Sequence, residues 1–269
     1  MKIRTSKRFI YEHNPLVEVL AQVSFDRILD LASDGPKDLQ AALSSLGYTQ
    51  LDIEQSASVQ IAFGPGSQLP QATPAALPTI YHFSTPDGQR KLSISSDFAT
   101  FSCLVYKEWQ VFEAQLMEGL RAFAGQYGFA NIKRVGLRYK DLIQRESLGL
   151  AGYPWKKLLA PVVAGIFSTD DFSETGDIEE AAIEQQASQV VMRLETCKLL
   201  LQSALLRSTE DEKLQAFLID ADFFNEFAGM PLDIERISAM FKILHASADD
   251  LFGHCIEEPL HGALGPTEA

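Results

Sequence analysis

Cysteine, basic residues and long apolar runs are all scarce in this sequence. The three cysteines, Cys103, Cys197 and Cys255, are far apart and form no CxxC pair, so they predict buried, reduced thiols and not a disulfide framework. Lys and Arg number 23 against 36 Asp and Glu, a formal net charge of −13. Because clustered cations provide affinity for phosphate, neither nucleic acid nor an anionic membrane is an expected partner. No stretch has the apolar character of a membrane span or signal peptide, which predicts a soluble, cytoplasmic protein.

The motifs that commonly mark catalysis are also missing. The sequence contains no G-x-S-x-G, Walker, G-x-G-x-x-G or H-E-x-x-H pattern. His254, Cys255 and His261 are metal-ligating residue types, but zinc sites use four ligands with closely spaced pairs, and Cys255 continues an apolar helical stripe. We therefore predict no catalytic residues, no metal and no cofactor.

Two segments of the chain, 125 residues apart, resemble each other. Residues 92–98 (LSISSDF) align with residues 217–223 (FLIDADF). The same shift aligns the apolar stripe of residues 109–123 with that of residues 234–248. This similarity predicts that a strand, a connection of fixed length and a long helix occur twice.

The predicted fold class is α+β, in two similar halves. Period-two apolar patterns predict strands at 16–25 and 132–143, whereas three- and four-residue apolar steps predict long helices at 108–127 and 233–255. Each half is expected to form an antiparallel sheet covered by one long C-terminal helix, an element order that resembles helix-grip folds and the TATA-binding saddle. The predicted domains are a β-α-β(4)-α half at 1–129, a half of similar order at 130–258 with an acidic insertion at 168–189, and a flexible tail at 259–269.

The repeat also bears on assembly. Homodimers commonly owe their symmetry to two copies of one unit. A chain with two internal copies already has that symmetry, so we expect a monomer or a weak homodimer.

Three motifs together indicate a family. Residues 14–19 (NPLVEV), 106–112 (YKEWQVF) and 134–141 (RVGLRYKD) resemble a sporadically distributed bacterial family of uncharacterised proteins. In that family a P-L-x-E opening, a Y-x-x-W-x-x-F helix start and an R-x-G-L-R-Y strand recur in this order. The resemblance covers nearly the whole chain and departs at Lys140 and Asp141, where an apolar residue followed by Asn is expected. It implies no established activity, and scattered occurrence fits genes carried on mobile or defence-related elements.

One strand is the best candidate for a ligand-binding surface. Arg134, Arg138 and Lys140 lie on one face of the predicted strand 132–143, and Gly136 leaves room between the two arginines. Three cations on one face can form a fork for a carboxylate or phosphate group. The alternative, which we favour, is that they pair with nearby acids such as Glu18 or face water.

Three aspartates offer a possible binding site for a metal cation. Asp220 and Asp222 share a strand face, and Asp97 aligns with Asp222 in the repeat. Mg²⁺ prefers one or two carboxylates together with water. We favour a structural role here too, because Asp at a turn or strand end commonly bonds the local backbone.

Two functional hypotheses follow. The first is a non-enzymatic cytosolic binding or regulatory protein that acts through protein contacts, with a basic partner, in a mobile toxin–antitoxin or defence cassette. Residues 168–189 carry seven acids and no Lys or Arg, and supply the expected contact residues Asp170, Asp171, Glu179 and Glu180. The alternative is a protein that binds or hydrolyses a small anionic ligand, a nucleotide or phosphate, in a pocket between the sheet and a long helix. Arg134, Arg138 and Lys140 of the basic strand face would hold the anionic group.

Overall fold

The computed structural model describes residue 3 and residues 7–55, 57–62, 71–76, 78–128, 130–170, 179–207 and 215–268. The strands are β1 (Phe9–Tyr11), β2 (Leu16–Phe25), β3 (Gln50–Glu54), β4 (Ala57–Ala62), β5 (Gln71–Ala76), β6 (Ile80–Ser84), β7 (Arg90–Ile94), β8 (Phe98–Cys103), β9 (Asn131–Ile143), β10 (Gln186–Arg193), β11 (Lys198–Arg207), β12 (Gln215–Pro231) and β13 (Pro266–Glu268). The helices are α1 (Leu29–Ser33), α2 (Lys37–Ser45), α3 (Trp109–Tyr127), α4 (Trp155–Leu158), α5 (Pro161–Ala164), α6 (Ile234–Cys255) and α7 (Glu258–Ala263), with 3-10 turns at Gly165–Ser168 and Glu180–Ala182. The predicted α+β class is confirmed.

Most of the described strands form one antiparallel sheet. Its nine strands lie in the order β10-β11-β12-β9-β2-β8-β7-β6-β3. At the centre β2 pairs with β9, so that Val19 faces Tyr139 and Val23 faces Val135. The sheet therefore runs without a break through both predicted halves, while β4 pairs with β5 and β1 with β13 in separate two-stranded sheets.

The long helices cover one face of this sheet. Phe112 on α3 packs against Phe101 on β8 with ring centroids 5.1 Å apart, and Phe123 packs against Phe25 at the same distance. On α6, Phe241 is fully buried. Complete burial of each such side chain contributes about 2–3 kcal/mol, so these contacts hold α3 and α6 to the sheet.

The two long helices begin at equivalent points of the predicted repeat. Trp109 opens α3 and Ile234 opens α6, 125 residues later. Asp233 caps α6 by accepting a hydrogen bond from the backbone N–H of Arg236 at 3.0 Å. None of the described helices combines the length and the apolar character needed to cross a membrane.

The strand part of the repeat differs from the prediction. Residues 217–223 lie within the single strand β12, whereas residues 92–98 span the end of β7, a turn and the first residue of β8. The turn is closed by the backbone N–H of Ser95, which donates to the carbonyl of Phe98 at 2.9 Å. The equivalence of residues 92–97 with one continuous strand is therefore wrong, because a hairpin interrupts the first copy.

The C-terminal segment is not the flexible tail that composition predicted. Residues 258–263 form α7, and Leu260 and Leu264 are fully buried. Beyond them, β13 pairs with β1, and Thr267 faces Ile10. Burial of two leucines outweighs the disordering tendency of the Gly and Pro residues around them, so residues 259–268 belong to the folded structure, with Leu260 and Leu264 in its core.

The predicted acidic insertion is also shorter than expected. Residues 186–189 belong to β10, which pairs with β11 along its whole length. As an edge strand β10 has one neighbour, and all its side chains are exposed or only half-buried, so its sequence carries no clear core-facing pattern. Residues 171–178 of this segment lie outside the described residues.

Candidate functional site

A cavity of about 400 Å³ lies between the sheet and α6. Strands β9 and β12 form its floor, α6 forms one wall, and β1 together with the start of α3 forms the rim. Small side chains at Ala221 and Ala248 leave the space open where larger residues would fill it. The cavity therefore lies on the helix-covered face of the sheet.

Strand alternation decides which residues of β9 reach this cavity. Tyr139 and Asp141 line it, whereas Arg138 and Lys140 project from the opposite face of the sheet. A pocket between sheet and long helix was part of the predicted anion site. The predicted link between that pocket and the basic residues is wrong, because the two lie on opposite sides of one strand.

His245 is held firmly inside the cavity. Its Nδ1 shares a hydrogen bond of 2.9 Å with the hydroxyl of Tyr139. The indole of Trp109 stacks on the imidazole with centroids 4.2 Å apart and planes 10° from parallel. Burial, together with the nearby charge of Arg8, lowers the pKa of His245 to about 4. The imidazole is therefore neutral near pH 7.

Asp249 connects this group to the rim. Its carboxylate lies 3.5 Å from Nδ1 of His245 and 3.2 Å from the guanidinium of Arg8. Burial raises the pKa of Asp249 to about 6, an effect that Arg8 opposes. Arg8 thus neutralises an acid at the rim.

Asp141 is the unusual residue of the floor. Only 9% of its surface is exposed, and among the described residues none donates a hydrogen bond to its carboxyl group. Burial, together with a smaller effect of the charge of Asp220, raises the pKa of Asp141 to about 7. A buried carboxyl group without a donor is costly to ionise, so it marks a functional site more than a structural one.

Cys255 borders the same floor. Burial raises the pKa of its thiol to about 12, and Asp141 contributes in the same direction. The thiol is therefore protonated and a poor nucleophile near pH 7. The predicted burial of Cys103, Cys197 and Cys255 as free thiols is confirmed.

The predicted basic strand face is neutralised by carboxylates. Arg138 donates two hydrogen bonds to Asp220, from Nε at 2.6 Å and from Nη2 at 2.5 Å. Lys140 lies 2.7 Å from Glu18 across the β2–β9 pair, the contact expected under the structural alternative. Arg134 is also paired with a carboxylate, so the three cations on this face form ion pairs with three acids.

Arg134 makes the third of these pairs. Its Nη2 donates to Asp222 at 2.6 Å and its Nη1 donates to Gln22 at 3.0 Å. The guanidinium also lies 4.6 Å from the ring centre of Phe224. A Cβ at Gly136 would overlap this guanidinium, which confirms that glycine provides the room the arginine needs.

The predicted partner-contact acids fall into different environments. Asp170 and Glu179 are exposed, and Asp171 lies outside the described residues. Glu180 points inward and accepts hydrogen bonds from Arg145 at 2.5 Å and from the backbone N–H of Trp155 at 2.8 Å. Glu180 therefore anchors α4, and its charge is not available to a partner in this state.

The residues considered for metal binding have other contacts. Nδ1 of His261 lies 3.1 Å from the hydroxyl of Tyr11, and Asp97 lies exposed in the turn before β8. Asp220 and Asp222 pair with arginines, as described above. Across the described ranges, no group of three or more His, Cys, Asp or Glu side chains is arranged to hold a metal ion.

No family model and no curated protein matches the chain. Sequence reasoning missed the cavity residues Asp141, His245 and Asp249. The available signal was Asp141, the one acid on the otherwise apolar face of β9 formed by Val135, Leu137, Tyr139 and Ile143.

Proposed function

We propose that this chain is a non-enzymatic binding protein that holds a small molecule in the cavity between β9, β12 and α6. The observation that supports this proposal is the cavity itself, whose volume of about 400 Å³ lies within the roughly 300–1,000 Å³ typical of small-molecule sites. Several aromatic side chains line it, and a few polar groups converge on it, as such sites require. The protonated thiol of Cys255 suits recognition better than nucleophilic attack.

A cavity-filling variant tests this function. Ala248 lines the cavity, whereas Ala246 lies exposed on the same helix. In thermal-shift and calorimetric screens of a fragment library, we expect compounds that stabilise the wild type to lose their effect in Ala248→Phe. The Ala246→Phe variant, matched in substitution and helix, should keep every such interaction. Compounds that bind Ala248→Phe and wild type equally would place the binding site elsewhere.

A protein-contact function is the second candidate. It is supported by the net charge of −13 and by the exposed acids Asp170 and Glu179, which would attract a basic partner. In this proposal the chain acts in the cytosol as a regulatory component of a mobile toxin–antitoxin or defence cassette, in line with the family that its motifs resemble.

Charge reversal separates this candidate from the cavity function. We expect Asp170→Lys with Glu179→Lys to reduce the recovery of a basic partner in affinity purification from the native host by at least about tenfold, since steering and rim contacts depend on charge. Glu180 should be left intact because its loss would disturb Arg145 and α4. Retention of every partner by the double variant would remove this surface from consideration.

We also propose that the two halves are copies of one unit. Outward from the central β2–β9 pair, β2 is followed by β8, β7 and β6, and β9 is followed by β12, β11 and β10. In both directions, the first strand that the half contributes to this sheet lies at the centre and the last one lies beside it, while β1 lies outside the sheet and β3 extends the first half beyond β6. This common order supports duplication, and with it a monomer or weak homodimer as the functional state.

A further inference from the structure

We infer that the ligand of the cavity is a small organic amine whose ammonium group pairs with the carboxylate of Asp141 while its apolar part lies against the aromatic walls. This inference rests on the proposed binding function and specifies the class of ligand. It is carried by the position of Asp141 in the cavity floor and by the side chains that surround it.

The first step is the state of Asp141 itself. Its side chain is about nine-tenths buried and lines the cavity, and in the described part of the chain no donor satisfies it. A buried acceptor that lacks a donor loses its hydration without compensation. An ammonium group provides both hydrogen-bond donors and the opposite charge, so it replaces the hydration that the carboxyl group loses on folding.

The described groups around this carboxyl group carry no positive charge. The titratable groups that face it are Tyr11 on β1, Tyr139 on β9 and Cys255 on α6. None of these is a cation. Asp220 on β12 also acts on Asp141 through its charge, but it lies on the opposite face of the sheet, paired with Arg138. An anionic ligand at this depth would be repelled by Asp141, whereas a cation would be attracted.

The cations at the rim of the cavity are balanced by acids. Arg8 pairs with Asp249, and Lys7 pairs with Glu268 on β13. These pairs leave the rim near neutrality, apart from Lys107, which is balanced in charge by its neighbour Glu108. A positively charged ligand therefore meets little net opposition on its way to Asp141.

The walls account for the rest of the ligand. Tyr11 and Phe252 meet edge to face at 5.6 Å, and Trp109 and Tyr139 complete an aromatic lining. Aromatic faces attract organic cations within about 6 Å of the ring centre and also bury apolar carbon. An arylalkyl or alkyl amine can pair with Asp141 in the floor and place its apolar part against the aromatic side chains of the walls.

Binding of such a ligand should depend on pH. Burial raises the pKa of Asp141 to about 7, so near neutrality the empty cavity holds both protonated and ionised forms. Because only the ionised form pairs with an ammonium group, affinity should fall about tenfold between pH 8 and pH 6, following the ionised fraction.

Three probes of one shape test the inference by calorimetry on the full chain. They are 2-phenylethylamine, which stays protonated from pH 6 to pH 8, neutral 2-phenylethanol and anionic phenylacetate. We expect the amine to bind at least about tenfold more tightly than either isostere at pH 8. The Asp141→Asn variant should lose this preference and bind the amine and the alcohol alike. The exposed control Asp38→Asn, which removes the same charge from α2, should behave as wild type.

The outcomes separate this inference from the function on which it rests. Tighter binding of the alcohol or of phenylacetate, undiminished amine binding in Asp141→Asn, or pH-independent amine affinity of the wild type would overturn the inference. Failure of an amine panel to bind at all would overturn it too. The proposed cavity function would survive each of these results if other fragments still depend on Ala248, and would fall only with that dependence.

Discussion

Replacing Arg138 with alanine is expected to lower the free energy of unfolding by about 3 kcal/mol, because removal of one partner from a largely buried ion pair leaves the other uncompensated. Asp220 is 5% exposed and receives both hydrogen bonds from this arginine. Arg138 keeps contact with water through its 37% exposed side chain, which places the expected effect at the lower end of the range for such pairs. Urea unfolding at pH 7 measures it.

An exposed pair provides the control for Arg138→Ala. Lys198 lies 2.6 Å from Glu226, with 39% and 54% of the two side chains exposed. The Lys198→Ala variant should lose less than about 1 kcal/mol, since solvent screens such pairs. Replacing both Arg138 and Asp220 with leucine should recover most of the loss, because no charge then remains buried.

The comparison also bears on the alternative anion-binding function. If Arg138→Ala costs no more than Lys198→Ala, the pair with Asp220 contributes little, and the arginine is free to serve a nucleotide or phosphate. A large loss means that an anionic ligand must first displace a carboxylate from a bidentate contact. The strand face would then be a structural network that joins β9 to β12.

Part of this arrangement could be predicted from the sequence. Period-two alternation along β9 separates the basic face from the apolar face, and the structure bears this out. The acids that neutralise Arg134 and Arg138 come from β12, about eighty residues further along the chain. Their pairing depends on the β9–β12 register, in which Asp222 faces Arg138 and Asp220 faces Lys140. Local patterns carry no information on such a register, since it is set by which strands become neighbours.

The errors at the C-terminal end have a similar physical origin. Composition indicated flexibility around residues 259–269, but Leu260 and Leu264 find partners in the core only after the whole chain has folded. Glu180 looked like one acid of an exposed run, yet Arg145 and the N–H of Trp155 hold it inward. In each case a contact with a distant residue overrides the local tendency.

The cavity could not be predicted, because it depends on what three separate elements leave unfilled. Ala221 on β12 and Ala248 on α6 both line the cavity, and β1 completes the rim from the other end of the chain. The sequence did contain one indication of it. An aspartate within the apolar face of β9 conflicts with burial, and such local conflicts are expected at functional sites.

The Asp141→Asn variant should be more stable than the wild type at pH 8 by about 4 kcal/mol. Burial raises the pKa of Asp141 to about 7, above its ordinary value of 3.8. Below about pH 3 both folded and unfolded chains hold this proton, so its ionisation does not affect stability. As pH rises towards 7 the unfolded chain releases the proton first, and the folded state becomes progressively less stable relative to it. Above pH 7 the full penalty of a buried charge is present, and the uncharged amide removes it.

Urea unfolding at pH 4, 6 and 8 distinguishes this effect from a general one. The difference between Asp141→Asn and wild type should be near zero at pH 4 and grow to its full size at pH 8, whereas Asp38→Asn should show no comparable trend. Destabilisation by Asp141→Asn at every pH would mean that the carboxyl group makes a contact the fold requires. The variant could instead gain stability and lose amine binding. That result would show that an ionised Asp141 destabilises the ligand-free protein but stabilises the complex with the amine, as expected for a residue retained for binding.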